Sequence, residues 1–361
     1  MKHFLSLMCL VAVIGCAEQP ATEVTPTETA KTEVKDLPVF VNEWSEYPSW
    51  SALDVASLMS IVNGEEGAPY SPLELEYGVD IVLKRRDYVQ SLKEYASSMT
   101  DSVCVTNIDA LNLAKGRPST AILPTSTSDG ADGVIVDPKK IEDLKHLKKH
   151  VTKGAEQSVS QYMFYACLEN LKEDPKKFKF ENMDPDVAAN AFQSGKEVAV
   201  AVWQPFLERT LHARDDSKLL FDSSTLKREI VDMVLVGNDA LQREGGENFA
   251  KAICDMYYQL NAKMAQGGPD RDAVVVNIGK KFSNLGLEEM EEVLKTCKFF
   301  KTPDEAEGVF GDNSWHTLMK TTIVERSINV GIVTKEELPT IGFNDPDKDL
   351  NFSTKYLRKK L

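Results

Sequence analysis

Three aromatic residues, Trp44, Tyr47 and Trp50, fall within seven positions directly after an extended apolar stretch. Rings crowded into a loop can form a wall for a flat or cationic guest. They can equally anchor the loop on the following helix, in which case at most one of them reaches a ligand. Trp203, in Val202-Trp203-Gln204-Pro205, follows another apolar stretch directly and is the strongest single ring for a cleft. Polar groups lie between these rings in the sequence. Thr106-Asn107-Ile108-Asp109 offers an amide and a carboxylate after an apolar run, although capping of the next helix alone would account for Asp109. The segment Thr125 to Gly133 offers hydroxyls and carboxylates, Ser128 and Asp129 among them, in a loop that could also be a plain turn. It is not a phosphate loop, because no Gly-Lys-Ser/Thr follows. Ser158 reads as the N-cap of a helix whose start suits an anion, while Glu156 beside it suits a cation or a donor-rich group. Phe221-Asp222-Ser223-Ser224, with Glu229 and Asp232 beyond it, reads as caps and surface charge.

This inventory suits recognition better than bond-making. His3 stands in the N-terminal apolar segment, His146 and His150 lie in a Lys-rich stretch, and His212 and His316 are isolated. There is no metal-ligand spacing and no Gly-x-Ser-x-Gly elbow, so neither a metal, a cofactor nor a catalytic residue is expected. Cys104, Cys167, Cys254 and Cys297 are widely spaced, with no Cys-x-x-Cys pair. Each sits among apolar residues, the pattern of buried free thiols, and one disulfide stays open as an alternative. A formal charge of -14 opposes nucleic acid and anionic lipid, so no nucleic-acid partner is expected. Hydrophobic content of 42% against 27% charged residues is enough for a packed core.

Residues 1–15 hold one lysine, a short apolar run and a small residue, and Cys16 follows. This is the anatomy of a bacterial lipoprotein secretory signal. The run is shorter than the about 20 residues that a membrane-spanning helix needs. Removal of residues 1–15 would leave Cys16 as a lipid-bearing N-terminus. Residues 16–36, poor in large apolar side chains, then read as a solvated tether. The chain is therefore expected at the periplasmic or extracellular face of the cell envelope, held to the membrane by lipid alone. An ordinary signal peptide that happens to contain a cysteine is the plainer alternative.

These polar and aromatic groups need elements to hold them. Strand-like runs fall at Val39, Val79, Val103, Ile122 and Val134, with helical stretches expected near 51–62, 88–97 and from Ile108. The pattern restarts after Asp137, with helices near 157–171 and 184–193. Strands follow near 197–202, 219–221 and 231–236, and the chain beyond Asn238 reads as mostly helical. Such alternation predicts parallel sheets covered by helices. It divides the chain into two α/β lobes, 37–136 plus 234–361 and 137–233. In open α/β sheets ligands collect at the carboxyl ends of strands, so the residues just after strands are expected to meet in the interlobe cleft.

Several segments together resemble the nitrate/taurine/sulfonate class of ABC-transporter substrate-binding proteins, and more narrowly the branch encoded beside urea carboxylase. They are Tyr77-Gly78-Val79, Asp87-Tyr88, Thr106 to Leu111, Ser128 to Gly133 and Glu156 to Ser160. Trp203-Gln204-Pro205, Phe221 to Ser224 with Glu229-Ile230-Val231-Asp232, and Leu294 to Phe300 before Thr302-Pro303 complete the set. Order and spacing match across roughly residues 40 to 345. Ser126, Asp129 and Gln161 depart from the pattern, which has Asp, Asn and His at those places. The resemblance implies a periplasmic-binding-protein-like fold of type II, two lobes with a hinge. It implies capture of a small-molecule solute and its delivery to an ABC permease in the cytoplasmic membrane, with no reaction by this chain. For the branch it implies urea or a guanidinium compound.

The expected mechanism is hinge closure over a small polar nitrogen compound. Trp203 and one of Trp44 and Trp50 would stack on it. Asn107, Asp129 and Glu156 would accept its N–H groups, with Asp109, Ser128 and Ser158 nearby. Other readings stay open: the same fold taking a sulfonate or a thiamine-precursor pyrimidine, an enzyme on this fold, and a sensor lipoprotein outside transport.

Overall fold

The protein is described by a computed structural model covering residues 36–281 and 285–358. The expected secretory signal, Cys16 and the expected tether up to residue 35 lie outside the described residues.

Thirteen strands build two sheets. The first seven are β1 (Val39–Trp44), β2 (Asp80–Arg85), β3 (Ser102–Thr106), β4 (Ser119–Ser128), β5 (Asp132–Val136), β6 (Val151–Gly154) and β7 (Lys179–Asn182). Then come β8 (Ala199–Trp203), β9 (Lys218–Asp222), β10 (Val231–Gly237), β11 (Cys297–Phe299), β12 (Ile341–Phe343) and β13 (Leu350–Phe352). The larger sheet runs β12-β13-β4-β10-β3-β1-β2, with β11 paired to the far end of β4. The smaller runs β7-β6-β8-β5-β9. Strands β3, β4, β5, β8 and β10 are buried along their whole length. Their Val, Ile, Leu and Ala side chains suit a sheet covered on both faces.

The sheets are mixed, not parallel as the alternation suggested. β1 runs parallel to β2 and β3, while β10 is antiparallel to both β3 and β4. β5 is antiparallel to β8 and β9. The reason is connectivity. The chain leaves the first sheet at the end of β4 and re-enters it at the start of β10. For both crossings to lie at one seam, the exit and return strands must run in opposite directions, and Val231 accordingly faces Thr127. The same holds across the seam, where Gly133 at the start of β5 faces Asp222 at the end of β9.

The crossings also correct the expected lobe boundaries. Strand β5, assigned to the first lobe by sequence, pairs only within the second sheet, so the outward crossing is Asp129–Ala131. The return crossing runs from Ser223 to Ile230, before the expected 233. Most of the polar loop expected from Thr125 to Gly133 is strand, because hydroxyl-bearing residues continue β4 to Ser128. What remains is a tight turn at Gly130, whose φ of 104° lies in the left-handed region that favours glycine. A Cβ at Gly133 would come within 2.7 Å of a terminal methyl of Leu219, which would have to shift to admit it.

Helices cover both sheets. Helix Pro48–Leu58 begins earlier than the expected Ser51, because Pro48 takes the first-turn position where its missing N–H costs nothing. Helix Val159–Asn170 starts where the sequence places it, with the Ser158 side chain accepting from the Ser160 N–H. The region beyond Asn238 carries the expected long helices, Gly246–Ala265 and Gly268–Lys281, plus the short strands β11, β12 and β13. Cys104, Cys167, Cys254 and Cys297 are free and buried.

Candidate functional site

Strand register by itself assembles a cluster at the seam. On the first sheet, Asp232 at the start of β10 stands opposite Thr106, the last residue of β3, and opposite Ser126 on β4. On the second sheet, Asp132 opens β5 opposite Trp203, the last residue of β8. Helix Pro48–Leu58 and the turn before it bring in Tyr47 and Trp50, and helix Tyr88–Ala96 brings in its first residue, Tyr88. Tyr47, Trp50, Tyr88, Thr106, Asp132, Val159, Trp203 and Asp232 line a small cavity with a volume of about 10 Å³, room for about one water-sized sphere.

The rings form a continuous wall. Tyr47 and Trp50 lie 4.8 Å apart, Trp50 stacks on Tyr88 at 5.5 Å and 14°, and Tyr88 meets Trp203 edge-on at 5.4 Å. The last contact crosses the seam. The Trp50 Nε1 is buried without a hydrogen-bond partner, and the Tyr47 hydroxyl, facing Asp232 and Cys297, has none of good geometry.

The carboxylates are held by hydroxyls. Ser126 Oγ donates to Asp232 Oδ2 at 2.6 Å, and Ser49 Oγ lies 2.8 Å behind it. Ser128 Oγ donates to Asp132 Oδ2, and Ser223 Oγ accepts from the N–H groups of Gly130 and Asp132 at 2.9 and 3.3 Å. Asp109 sits one layer back. Its Oδ2 accepts from the Tyr88 hydroxyl at 2.6 Å and from Thr106 Oγ1 at 2.9 Å, while its buried Oδ1 has no partner.

Burial works against charge on all three acids. Desolvation pushes the Asp109 carboxyl up to about 6, although the Tyr88 and Thr106 hydroxyls pull it back. Asp132 rises to about 7, from desolvation first and the repulsion of Asp109 second, against the pull of Ser128. Asp232 is pushed well above the carboxylate range by desolvation, with repulsion from Asp132 adding and Ser126 opposing. No lysine or arginine lines the cavity. An enclosed space with clustered acids and aromatic faces stabilises a cation that is flat enough to lie against the rings. Among the described residues no group of three or more His, Cys, Asp or Glu side chains is suited to a metal ion.

The site residues expected from sequence are scattered. Trp50 and Trp203 line the cavity, and Asp109 and Ser128 stand behind its wall. Trp44 is packed in the first lobe with Arg85 near its face and does not line the cavity. Asn107 is consumed by backbone: its Nδ2 donates to Glu229 O and its Oδ1 accepts from Val231 N. Asp129 points outward and pairs with Lys298. Glu156 is exposed, and with Ser158 it borders a different groove, which shares Tyr88 with the cavity. Asp232, read from sequence as surface charge, is instead 1% exposed. Tyr88, Thr106, Asp132, Val159 and Asp232 line the cavity without having been named as ligand contacts from the sequence, whereas Tyr47 belonged to the aromatic group named there. For Asp232 a signal was present, since an acid inside the apolar run Val231–Val236 must be buried with it.

No protein-family model and no curated protein sequence matches the chain. Solved structures do resemble it. The alkanesulfonate-binding protein SsuA from Xanthomonas axonopodis pv. citri, bound to MOPS, superposes with TM-score 0.65 at 14% identity, covering 87% of this chain and 98% of that one. The periplasmic nitrate-binding protein NrtA from Synechocystis PCC 6803 gives 0.60 at 9% identity, covering 84% of each chain. A Candida albicans protein with the generic periplasmic binding protein structural fold gives 0.57 at 14% identity, covering 81% of this chain and 95% of that one. The chain thus has the periplasmic-binding-protein fold, two α/β lobes with a seam between them.

Proposed function

We propose that this chain is a solute receptor of an ABC importer, of the nitrate/taurine/sulfonate class, that binds a small polar nitrogen compound of the urea and guanidine kind, with a planar guanidinium-like cation preferred. One observation carries the choice of solute: Asp132 and Asp232 meet across the seam in a cavity walled by aromatic rings and free of basic side chains. A sulfonate or nitrate would meet two acids there and no basic side chain to balance its charge. A guanidinium-like head would restore charge to both acids and lay its face against Trp50 or Trp203.

Opening and closing of the lobes is part of the proposal. The cavity now has room for about one water-sized sphere, so a larger guest requires the lobes to part at the two crossings. A guest that touches both Asp132 and Asp232 favours the closed form by its differential affinity. No residue acts on the solute chemically, and release to a permease completes the cycle. Cys16 would hold the receptor at the envelope through its lipid.

Calorimetric titration with guanidinium, urea, taurine and nitrate tests the reading. Guanidinium is expected to bind, and Trp203→Ala to abolish tight binding. Tight taurine or nitrate binding without guanidinium binding, or unchanged affinity in the variant, would reject it. Cys16→Ser is expected to move the chain from the membrane to the soluble fraction of cells; retention on the membrane would reject the anchor.

A further inference from the structure

Tyr88 and Trp203 line the inner cavity and also a larger groove at the mouth of the cleft, beside Phe206 and Arg209. Arg209 differs from the other arginines there and elsewhere. Among the described residues every other arginine has an ion pair. Arg86, in the same groove, is taken by Glu43 and Glu94. Arg209 has no ion pair and no side-chain hydrogen bond, and its Nε is buried without a partner. Its guanidinium lies over the Phe206 ring at 5.0 Å, and that ring is 6.4 Å from Trp203. Asp186 borders the groove and acts on Arg209 only at a distance.

A guanidinium fork that is partly desolvated and unpaired is costly unless an anion meets it, and a carboxylate meets it in two parallel hydrogen bonds. Asp132 and Asp232 are inside; the mouth carries the unpaired Arg209 together with Asp87, Asp184, Asp186 and Glu46, the last of which pairs with Arg85, and Trp203 and Phe206 bridge the two places. We infer that the ligand is a short zwitterion, with its planar cationic head between Asp132 and Asp232 and its carboxylate-like tail on Arg209. A bare cation would leave Arg209 unmatched, and a bare anion would meet the acids. The inference rests on the cation reading of the inner cavity and extends it to a second anchoring point.

Calorimetry with two probe series separates the two claims. The first series is methyl-, ethyl- and propylguanidine. The second is guanidinoacetate with its propionate and butyrate homologues. The intact chain is expected to bind the best acid at least tenfold more tightly than the matching alkylguanidine. Arg209→Gln is expected to erase that gap and leave alkylguanidine affinity unchanged. Arg209→Lys, which keeps the charge and loses the fork, should retain part of the gap. A melting temperature equal to wild type shows that each variant is folded; if Arg209→Gln fails this check, the Arg209→Lys gap decides. No preference for the acids, or a preference that survives either substitution in full, overturns the tail anchor alone. Failure of both series to bind overturns the cation reading of the cavity and this inference with it.

Discussion

At the scale of single residues, the buried acids couple binding to protons. Burial raises the Asp109 carboxyl to about 6, that of Asp132 to about 7, and that of Asp232 well above the carboxylate range, because desolvation outweighs the hydroxyls that support them. A cation between Asp132 and Asp232 favours their charged forms, so its binding expels protons. Affinity for guanidinium is therefore expected to tighten several-fold from about pH 5.5 to about pH 8. Titration at pH 7 in two buffers of different ionisation enthalpy should show net proton release. A flat profile with no release would count against the site. The free protein should respond oppositely. A carboxyl raised above its unfolded value of about 3.9 binds more protons in the native state. Stability of the free protein then falls as pH climbs from about 4 through about 7 and beyond. Asp232→Asn removes one such charge. It is expected to raise the melting temperature of the free protein at pH 8 and to weaken guanidinium binding at least tenfold. A variant that is stabilised yet binds normally would remove Asp232 from the site.

At the scale of elements, the Asn107 side chain ties the start of the return strand to the end of β3. Asn107, just past β3, bonds Glu229 O at 3.0 Å and Val231 N at 2.9 Å, and so fixes where β10 starts. Asp232 is the next residue, and its place opposite Thr106 depends on that start. Asn107→Ala leaves a buried donor and a buried acceptor unmatched, each costing about 1–3 kcal/mol. Denaturant unfolding should show a loss of roughly 2–3 kcal/mol, with guanidinium affinity falling alongside. An unchanged midpoint would contradict this account of the crossing. Asn107 was legible in the sequence as a residue that matters after a strand, yet not as one that serves backbone. Amide and ligand compete for the same donor and acceptor, and only the neighbouring strand decides between them.

At the scale of the whole molecule, a third link joins the two lobes near the crossings. Arg326, from the C-terminal helices, pairs with Glu229 on the return crossing at 2.7 Å and with Glu169 on a second-lobe helix at 3.0 Å. The Tyr162 hydroxyl also donates to Glu229, at 2.6 Å. Arg326→Ala strands the nearly buried Glu229 carboxylate, which should cost roughly 3 kcal/mol in denaturant unfolding. Glu229→Gln in the same background should recover part of that loss, because the cost lies in the uncompensated charge. A double variant no more stable than the single one would place the cost elsewhere.

Much of the architecture followed from local sequence. The β-branched and apolar runs became buried strands, Ser158 capped its helix, and four cysteines in apolar surroundings are buried thiols. An aromatic at the end of a strand, Trp203, lies at the seam because strands of both sheets end there. The direction of β10 and the sheet to which β5 belongs were not legible. Neither were the rings and acids that face inward. Those depend on pairing between residues about a hundred positions apart, such as Ser126 with Asp232. In a strand, facing alternates with every residue, so register with a distant partner decides which side chain points into the cavity. The sequence alone supplied the chemical groups and the elements that carry them. The tertiary structure placed Asp132 and Asp232 at the cavity and Asp129 and Glu156 away from it, because register and the two crossings bring those two acids from both lobes to one point.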